Sequence, residues 1–412
     1  VEGETVKEVT FDYGASFTRD VFPAIEPRDG AYAVWDRTDL TNLRFDTTVN
    51  AEYRRSETAL ASEPFTVAAK GAVLIDGASG RILFGQNENA QYPMASTTKV
   101  MTTLLALENA NLDEQVTAGK NAYGVTGTSL YLSEGETLSM EHMLYGLMLR
   151  SGNDAAVAVA EHIAGSVSAF AEMMNEKAKE LGIDAHFVNP HGLDAEGHQI
   201  SALGLALLFR EAMKNEDFRT ITGTKRKVIP WVGNEYSRVL ENKNKLLTTY
   251  EGATGGKTGY TGKAGRCLVF SARRDGLELI GAVLNCPTWF DTATQLLDYG
   301  FENFKAETAL GKGEKVASVA VRGGMSESVD VLAESDLRAA IPVGIAPKTA
   351  LELPEAVRAP VRAGEKLGTA SLQTERREYA RCALVAATDV EARNFSQSIR
   401  RLLRRWLLLF ED

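Results

Sequence analysis

A serine and a lysine three residues apart, Ser96 and Lys99, follow Pro93 and open an apolar helical pattern. Side chains at this spacing lie on the same face of a helix, so the hydroxyl and the ammonium are brought together. If the site lowers the lysine pKa, the neutral amine can take the serine proton, and the helix N-terminus favours the developing negative charge. The same spacing also occurs where a serine merely caps a helix beside a solvated lysine. The pair therefore predicts a nucleophile only in combination with other groups.

A second polar set, Ser151 and Asn153, directly follows a predicted helix that ends at Arg150. Short hydroxyl and amide side chains can relay a proton to a leaving amine and hold a substrate amide. The alternative is a Ser-Gly-Asn turn that only caps the helix starting near Asp154. Either way, the set lies at a helix boundary.

A third set, Lys257, Thr258 and Gly259, lies in a glycine-rich stretch with strand character. On a sheet edge, the lysine and threonine can bind a carboxylate, and the glycine lets a substrate backbone lie against the edge as an added strand. A phosphate-binding loop is excluded, because that motif requires glycine at position 251, where the chain has Glu251.

The three sets occur in the order shared by penicillin-binding proteins and class A β-lactamases: SxxK, then SxN, then KTG. Within that group the sequence resembles the low-molecular-mass penicillin-binding proteins of the D-alanyl-D-alanine carboxypeptidase family, peptidase family S11. The resemblance covers about residues 64 to 390. The segments that carry it are residues 92–99, 144–156, 189–194 and 256–261.

The resemblance implies a serine-type D-Ala-D-Ala carboxypeptidase that trims peptidoglycan pentapeptides through an acyl-enzyme. Ser96 would be the nucleophile, helped by Lys99, and the backbone N–H groups of Ser96 and Tyr260 would form the oxyanion hole. Ser151 and Asn153 would assist proton transfer and substrate placement. No metal or other cofactor is expected, and β-lactams are expected to acylate the nucleophile as substrate mimics.

Substrate binding is expected to depend on the KTG segment, where Lys257 and Thr258 would grip the terminal carboxylate while Gly259 and Tyr260 line the strand edge. Some relatives add an arginine in the turn after the second strand beyond this segment. Residues 285–289 of this chain read Asn-Cys-Pro-Thr-Trp instead. Carboxylate recognition is therefore expected to rest more on the KTG segment.

Three other functions compete with this interpretation. A class A β-lactamase would add a Glu-x-x-Leu-Asn element, and none occurs between Asn153 and Lys257. A metallopeptidase could use His186, His191 and His198, but the sequence has no HExxH motif. A wall-binding module with a dead site is the third possibility, against which the complete set of candidate residues argues.

The positioning elements indicate an α/β (α+β) domain of the penicillin-binding or β-lactamase-like type over residues 64–306. Strands at 72–76 and 81–84 form a hairpin, and strands at 266–272 and 277–285 return after a helical block that includes helices over 139–149 and 167–181. A helix over 291–304 closes the domain. Strands at both ends of the segment imply one antiparallel sheet assembled from distant parts of the chain.

Three flanking regions complete the predicted organisation. Residues 1–63 form a small β module with strands near 9–14, 32–35 and 47–53, similar to the Listeria–Bacteroides type of surface repeat; it is either a spacer or a ligand-binding module. Residues 307–390 form a small all-β domain. Residues 391–412 are predicted as a basic amphipathic helix, with apolar residues on one face and arginines on the other, which suits either an anionic membrane surface or packing against protein.

Composition narrows the partners. The chain of 412 residues has 45 Lys and Arg against 55 Asp and Glu, a net charge of −10, so nucleic acid is not an expected partner. The resemblance instead implies peptidoglycan stem peptides and β-lactams as partners, and the predicted C-terminal helix adds a membrane surface. Residues 1–10 show no signal-peptide pattern, and the sequence has no run of eighteen apolar residues, so any membrane contact is predicted to be peripheral. The expected location is extracytoplasmic, at the outer face of the cytoplasmic membrane or cell wall.

Cys267 and Cys286 are expected to be unpaired core residues, with a disulfide between them as the alternative.

Overall fold

The computed structural model describes residues 31–35, 51–55, 65–375 and 377–393, and the chain divides into two compact units, Val1–Phe65 and Thr66–Asp412. In the first unit, β1 (Ala31–Trp35) pairs antiparallel with β2 (Ala51–Arg55). These strands overlap two of the three predicted there. The strand predicted at 9–14 lies outside the described residues.

The second unit begins with a region of mixed strands and helices. Its strands are β3 (Gly71–Asp76), β4 (Ile82–Gln86), β5 (Gln91–Tyr92), β6 (Gln115–Thr117), β7 (Thr137–Ser139), β8 (Ala185–His186), β9 (Gln199–Ser201), β10 (Arg226–Ile229), β11 (Arg238–Glu241), β12 (Ala253–Thr261), β13 (Gly265–Arg274) and β14 (Leu277–Leu284). Its helices are α1 (Lys99–Asn109), α2 (Met140–Tyr145), α3 (Asn153–Ala164), α4 (Val167–Glu180), α5 (Ala202–Ala212), α6 (Glu216–Gly223), α7 (Leu246–Thr249) and α8 (Trp289–Asn303).

The central sheet has five antiparallel strands in the order β12-β13-β14-β3-β4. The last three strands of this region therefore join its first two, as the sequence predicts. The β3–β4 hairpin turns where the Asp76 carboxylate accepts hydrogen bonds from the backbone N–H groups of Ala78 and Ser79, at 3.1 and 3.2 Å. Within the described residues, β12 pairs only with β13 and forms one edge of the sheet.

Helices cover the sheet, and α1 is one of the most buried among them. Its residues from Lys99 to Ala106 are all buried, including the polar Lys99, Thr102 and Thr103. It packs against α3 and α5, while α5 and α8 pack on β14. The core joins apolar side chains of the sheet, including Val73 and Val269, to those of the helices.

The helix predicted over 139–149 is only partly regular. Helix α2 ends at Tyr145 and continues as one wider π-helical turn, Gly146–Arg150. A Cβ atom at Gly146 would lie 2.2 Å from a methyl group of Leu130, so glycine permits a loop to pack directly on the helix. The turn ends at Ser151, whose φ of 70° redirects the chain into α3.

The C-terminal part of the unit is all β, as predicted. Its strands are β15 (Phe304–Leu310), β16 (Lys315–Arg322), β17 (Ser328–Ala333), β18 (Leu337–Pro342), β19 (Lys348–Glu352), β20 (Ala356–Arg358), β21 (Lys366–Gln373) and β22 (Glu378–Ala386). Six of them form a sheet in the order β19-β21-β22-β17-β16-β20, and β15 pairs with β18. The Ala340 backbone N–H donates to the Asp76 carboxylate at 2.9 Å, which ties this domain to the β3–β4 turn.

Two further expectations concern the tail and the cysteines. Ala392, where the sequence predicts a helix, forms a β-bridge with Gly324, because the chain here still completes the β domain. The rest of the predicted helix, residues 394–412, lies outside the described residues. The three cysteines, Cys267, Cys286 and Cys382, are buried and unpaired. Among the described residues, no helix is long and apolar enough to cross a membrane.

Candidate active site

A short 3-10 turn, Ala95–Thr98, presents Ser96 just before α1 begins. The turn is held by its own hydroxyls: Thr97 donates to the Met94 carbonyl at 2.6 Å and Thr98 to the Ala95 carbonyl at 2.8 Å. Ser96 remains partly accessible to solvent. Lys99 Nζ donates to Ser96 Oγ at 3.0 Å, so the three-residue spacing places the two groups in contact.

Lys99 is fully buried and has only neutral oxygen partners. Besides Ser96 Oγ, its Nζ donates to Asn153 Oδ1 at 2.8 Å and to the His191 carbonyl at 2.5 Å. Burial is the largest cause that lowers its pKa well below the usual value, followed by the positive charge of Lys257. The neutral amine is therefore accessible at lower pH than for an ordinary lysine.

The Asn153 side chain has a fixed orientation. Its Nδ2 donates to the Thr126 carbonyl at 2.7 Å, and its backbone N–H donates to the Thr128 carbonyl at 2.7 Å. Gly127 packs so closely that a Cβ there would lie 2.8 Å from Asn153 Nδ2, and its φ of +91° also favours glycine. These contacts direct the amide oxygen of Asn153 towards Lys99.

The second lysine of the site, Lys257, is also buried. Its Nζ donates to Ser151 Oγ at 3.0 Å and to the Thr258 carbonyl at 2.8 Å. Burial, followed by the charge of Lys243, lowers the pKa of Lys257 to about 7. The SxN and KTG segments, 106 residues apart in sequence, are thus joined by a hydrogen bond.

The edge strand β12 lies directly against the Ser96 turn. A Cβ atom at Gly259 would lie 2.8 Å from the Ser96 backbone nitrogen and 3.0 Å from that of Thr97, so this approach requires glycine. Thr258 is buried, whereas Tyr260 is 67% exposed. The structure thus gathers Ser96, Lys99, Ser151, Asn153, Lys257, Thr258, Gly259 and Tyr260 along one edge of the sheet.

The loop that supplies the His191 carbonyl was not predicted as part of the site. Gly192, at a φ of +88°, passes so close to the Ala95 carbonyl that a Cβ would lie 1.9 Å from its oxygen. Asn189 braces the loop by accepting from the Gly192 N–H at 2.7 Å, and Asp194 accepts from the Thr261 hydroxyl at 2.6 Å. A turn-rich Asn-Pro-His-Gly run was the available signal, but a backbone carbonyl leaves no residue-type signature.

The histidines considered as metal ligands have other partners. His198 shares a hydrogen bond with the Thr98 hydroxyl at 2.8 Å, and His186 with the Gly197 carbonyl at 3.0 Å. Burial lowers the pKa of His198 to about 4 and that of His191 to about 3, so both are neutral near pH 7. Within the described ranges, no group of three His, Cys, Asp or Glu side chains is arranged to hold a metal ion.

The turn that lacks the expected arginine contains a guanidinium from elsewhere. Arg266 on β13 donates to the Pro287 carbonyl at 2.7 Å, and its guanidinium carbon lies 5.8 Å from the centre of the Trp289 ring. These contacts hold the guanidinium beside the turn that follows β14.

Comparison with known proteins agrees with this geometry. The D-alanyl-D-alanine carboxypeptidase family model matches residues 57–288, and the model of the penicillin-binding protein 5 C-terminal domain matches residues 304–392. The chain is 32% identical over 350 residues to the D-alanyl-D-alanine carboxypeptidase DacF of Bacillus subtilis, covering 82% of this chain and 90% of that protein. It is 33% identical over 349 residues to DacD of Escherichia coli, covering 80% and 88%.

Solved structures give the same result. Penicillin-binding protein 5 from Haemophilus influenzae superposes with a TM-score of 0.69 at 30% identity, covering 80% of this chain and 99% of that one. The family match spans more than half of the chain and includes all eight candidate residues. The chain therefore belongs to the D-alanyl-D-alanine carboxypeptidase family of serine peptidases, peptidase family S11.

Proposed function

We propose that this protein removes the terminal D-alanine from peptidoglycan stem peptides that end in D-Ala-D-Ala, through an acyl-enzyme on Ser96. The observation that carries the proposal is the contact of Ser96 Oγ with Lys99 Nζ at 3.0 Å, beside β12, which among the described strands pairs on one side only. A nucleophile with its base and an edge that can accept an extended peptide are the two parts that peptide acyl transfer needs.

Lys99 acts as the base that activates Ser96. A neutral amine has two N–H donors and one lone pair. The Asn153 amide oxygen and the His191 carbonyl can only accept, so they take the two donors and leave the lone pair directed at the Ser96 hydroxyl. As Ser96 Oγ bonds to the substrate carbonyl carbon, its proton moves to Lys99.

The leaving amine receives its proton from the second lysine. When the C–N bond breaks, the nitrogen of D-alanine needs one proton, and Ser151 can pass it on from the Lys257 ammonium to which it is hydrogen-bonded. Backbone N–H groups of Ser96 and Tyr260 stabilise the oxyanion in this scheme, which the close approach of β12 to the Ser96 turn supports.

The substrate carboxylate is bound at the KTG edge, by the Thr258 hydroxyl and the positive charge of Lys257. Water then attacks the acyl-enzyme, and Lys99 passes the water proton to Ser96 as the ester bond breaks. The protons gained by Lys99 and lost by Lys257 in acylation re-equilibrate through solvent. β-Lactams enter the same route, because their strained amide takes the place of the peptide bond.

The proposed substrate supports an extracytoplasmic location for the enzyme, since peptidoglycan lies outside the cytoplasm. We propose that it lies at the outer face of the membrane, with the apolar and basic residues of the segment 394–412 making peripheral contact. This proposal also keeps the domain limits predicted from the sequence, which are residues 1–63, 64–306 and 307–390.

Two measurements test the proposed function. Release of D-alanine from a pentapeptide ending in D-Ala-D-Ala is expected for the wild type. A fluorescent penicillin is expected to form an acyl-enzyme that turns over slowly. This labelling is expected to disappear in Ser96→Ala. Rapid penicillin hydrolysis without D-alanine release would instead favour a β-lactamase.

A further inference from the structure

We propose that Arg238 is a positioning residue for acylation: it braces the loop of residues 126–132, which in turn fixes Asn153 against Lys99. The inference deepens the proposed function and rests on it. Arg238 lies on β11, outside the eight predicted site residues, and touches none of them among the hydrogen bonds of the described chain.

Arg238 forms a buried ion pair with Glu136. Its two terminal nitrogens contact the two carboxylate oxygens at 2.6 and 2.9 Å, and the side chains are only 5% and 2% exposed. The guanidinium carbon also lies 4.9 Å from the centre of the Trp231 ring. Burying two charges is costly even when they are paired, so such a pair is weak evidence for a gain in stability alone.

Arg238 also donates to the Pro230 carbonyl at 3.1 Å, and its other two contacts are with the loop. Its Nε donates to the Leu130 carbonyl at 2.9 Å and its Nη2 to the Tyr131 carbonyl at 3.2 Å. Tyr131 has a φ of 59°, which is uncommon for a residue with a bulky side chain. The guanidinium therefore satisfies two successive carbonyls of a backbone that does not form regular structure.

The other side of the same loop is bonded to the start of α3. Asp154 accepts from the Leu130 and Leu132 N–H groups, both at 3.0 Å, and from the Ser129 hydroxyl at 2.5 Å. The same loop also supplies Thr128, whose carbonyl accepts from the Asn153 backbone N–H. The loop is thus held between Arg238 on one side and the Asn153–Asp154 pair on the other.

This arrangement links Arg238 to the reacting groups in three steps. Arg238 fixes the loop carbonyls, the loop fixes the Asn153 amide, and Asn153 takes one N–H of Lys99. If the loop loosens, the Lys99 lone pair is no longer held on the Ser96 proton, and a small displacement at this point is expected to slow acylation strongly.

The decisive variant is Arg238→Lys, which keeps the charge opposite Glu136 but cannot span the carboxylate and both carbonyls. The rate constant for acylation by a fluorescent penicillin is expected to fall about tenfold to hundredfold, with the apparent dissociation constant of the penicillin unchanged within about twofold. Arg226→Lys is the matched control, since Arg226 lies exposed on the same hairpin and its side chain makes no hydrogen bond or ion pair within the described chain. It is expected to behave as wild type.

Rates are measured per folded molecule, at a temperature where circular dichroism shows the variant to be native. A folded Arg238→Lys protein with the wild-type acylation rate overturns the proposal, even if its melting temperature falls. Weaker penicillin binding at an unchanged acylation rate also overturns it, because the loop would then be a binding surface.

If Arg238→Lys does not fold, Glu136→Gln replaces it. Its amide keeps the shape of the carboxylate but only one acceptor oxygen, so a smaller fall in the acylation rate is expected, and a destabilised variant with the wild-type rate overturns the proposal. The penicillin readout also separates the two proposals: wild type that is acylated but releases no D-alanine refutes the proposed substrate and leaves the role of Arg238 testable.

Discussion

The catalytic edge and the C-terminal β domain treat their charged side chains in opposite ways. At the edge, Lys99 and Lys257 are almost completely buried and donate only to neutral oxygens. In the β domain, Lys315 pairs with Asp330 at 2.8 Å while both side chains stay about half exposed. A buried cation without a carboxylate costs free energy and has a lowered pKa, whereas an exposed ion pair costs little free energy to form. The first arrangement is therefore the one adapted to chemistry.

The largest expected effect comes from removing the buried base. In Lys99→Ala, D-alanine release is expected to fall about 10²- to 10⁴-fold, because Ser96 loses the group that accepts its proton. The rate of release from the pentapeptide checks this. Lys263→Ala is a suitable control, since that lysine is exposed and lies beyond the KTG segment. Activity of Lys99→Ala within a few fold of wild type would mean that another group is the base.

The next effect comes from the close approach of the edge strand. In Gly259→Ala, the new methyl group would meet the Ser96 and Thr97 backbone nitrogens, so the strand or the turn has to shift. Acylation by a fluorescent penicillin is expected to fall about a hundredfold. Gly262→Ala is the control, because a Cβ there meets nothing within 4 Å. Equal acylation rates in the two variants would show that the approach is not needed.

The sequence predicts much of the edge because short motifs encode local geometry. The three-residue spacing of Ser96 and Lys99 fixes their contact once a helical turn forms. Glycine at 259 was predicted to admit a substrate backbone, and in the structure it also lies against the backbone of the Ser96 turn. The strands around the turn at 275–276 were predictable from the apolar runs that flank an Arg-Arg-Asp-Gly turn, and the return of β14 to β3 from the requirement for one shared core.

Other parts of the site were not predictable, for identifiable physical reasons. The third partner of Lys99 is a backbone carbonyl, which any residue type can supply, so His191 gave no signal. Arg238 and Glu136 are 102 residues apart, and each alone resembles an ordinary surface charge. The π-helical turn before Ser151 depends on how Leu130 packs against Gly146, a tertiary contact that helical periodicity does not encode.

A smaller effect is expected from the pH dependence of Lys257. Acylation should rise as Lys99 loses its proton and fall as Lys257 loses its own, near its pKa of about 7. At pH 8 only about a tenth of Lys257 would then remain charged. In Lys257→Arg, which cannot supply the proton to the leaving amine, the acylation that remains should lack the falling limb below about pH 10, because guanidinium stays protonated. Acylation rates from pH 5 to 10 check this, and an unchanged limb in Lys257→Arg would assign it to another group.

The smallest effect is expected in the C-terminal β domain, where the charged pair is exposed. Lys315→Ala removes one partner of an exposed ion pair, and Asp330 keeps both solvent and the Ser318 hydroxyl, which donates to it at 2.6 Å. Neither the melting temperature nor the acylation rate is expected to change measurably, since many exposed pairs contribute nothing detectable to stability. Thermal unfolding and penicillin acylation, measured at low and high salt, check this. A clear loss of acylation would show that the β domain acts on the catalytic edge, and the contrast between the two regions would no longer hold.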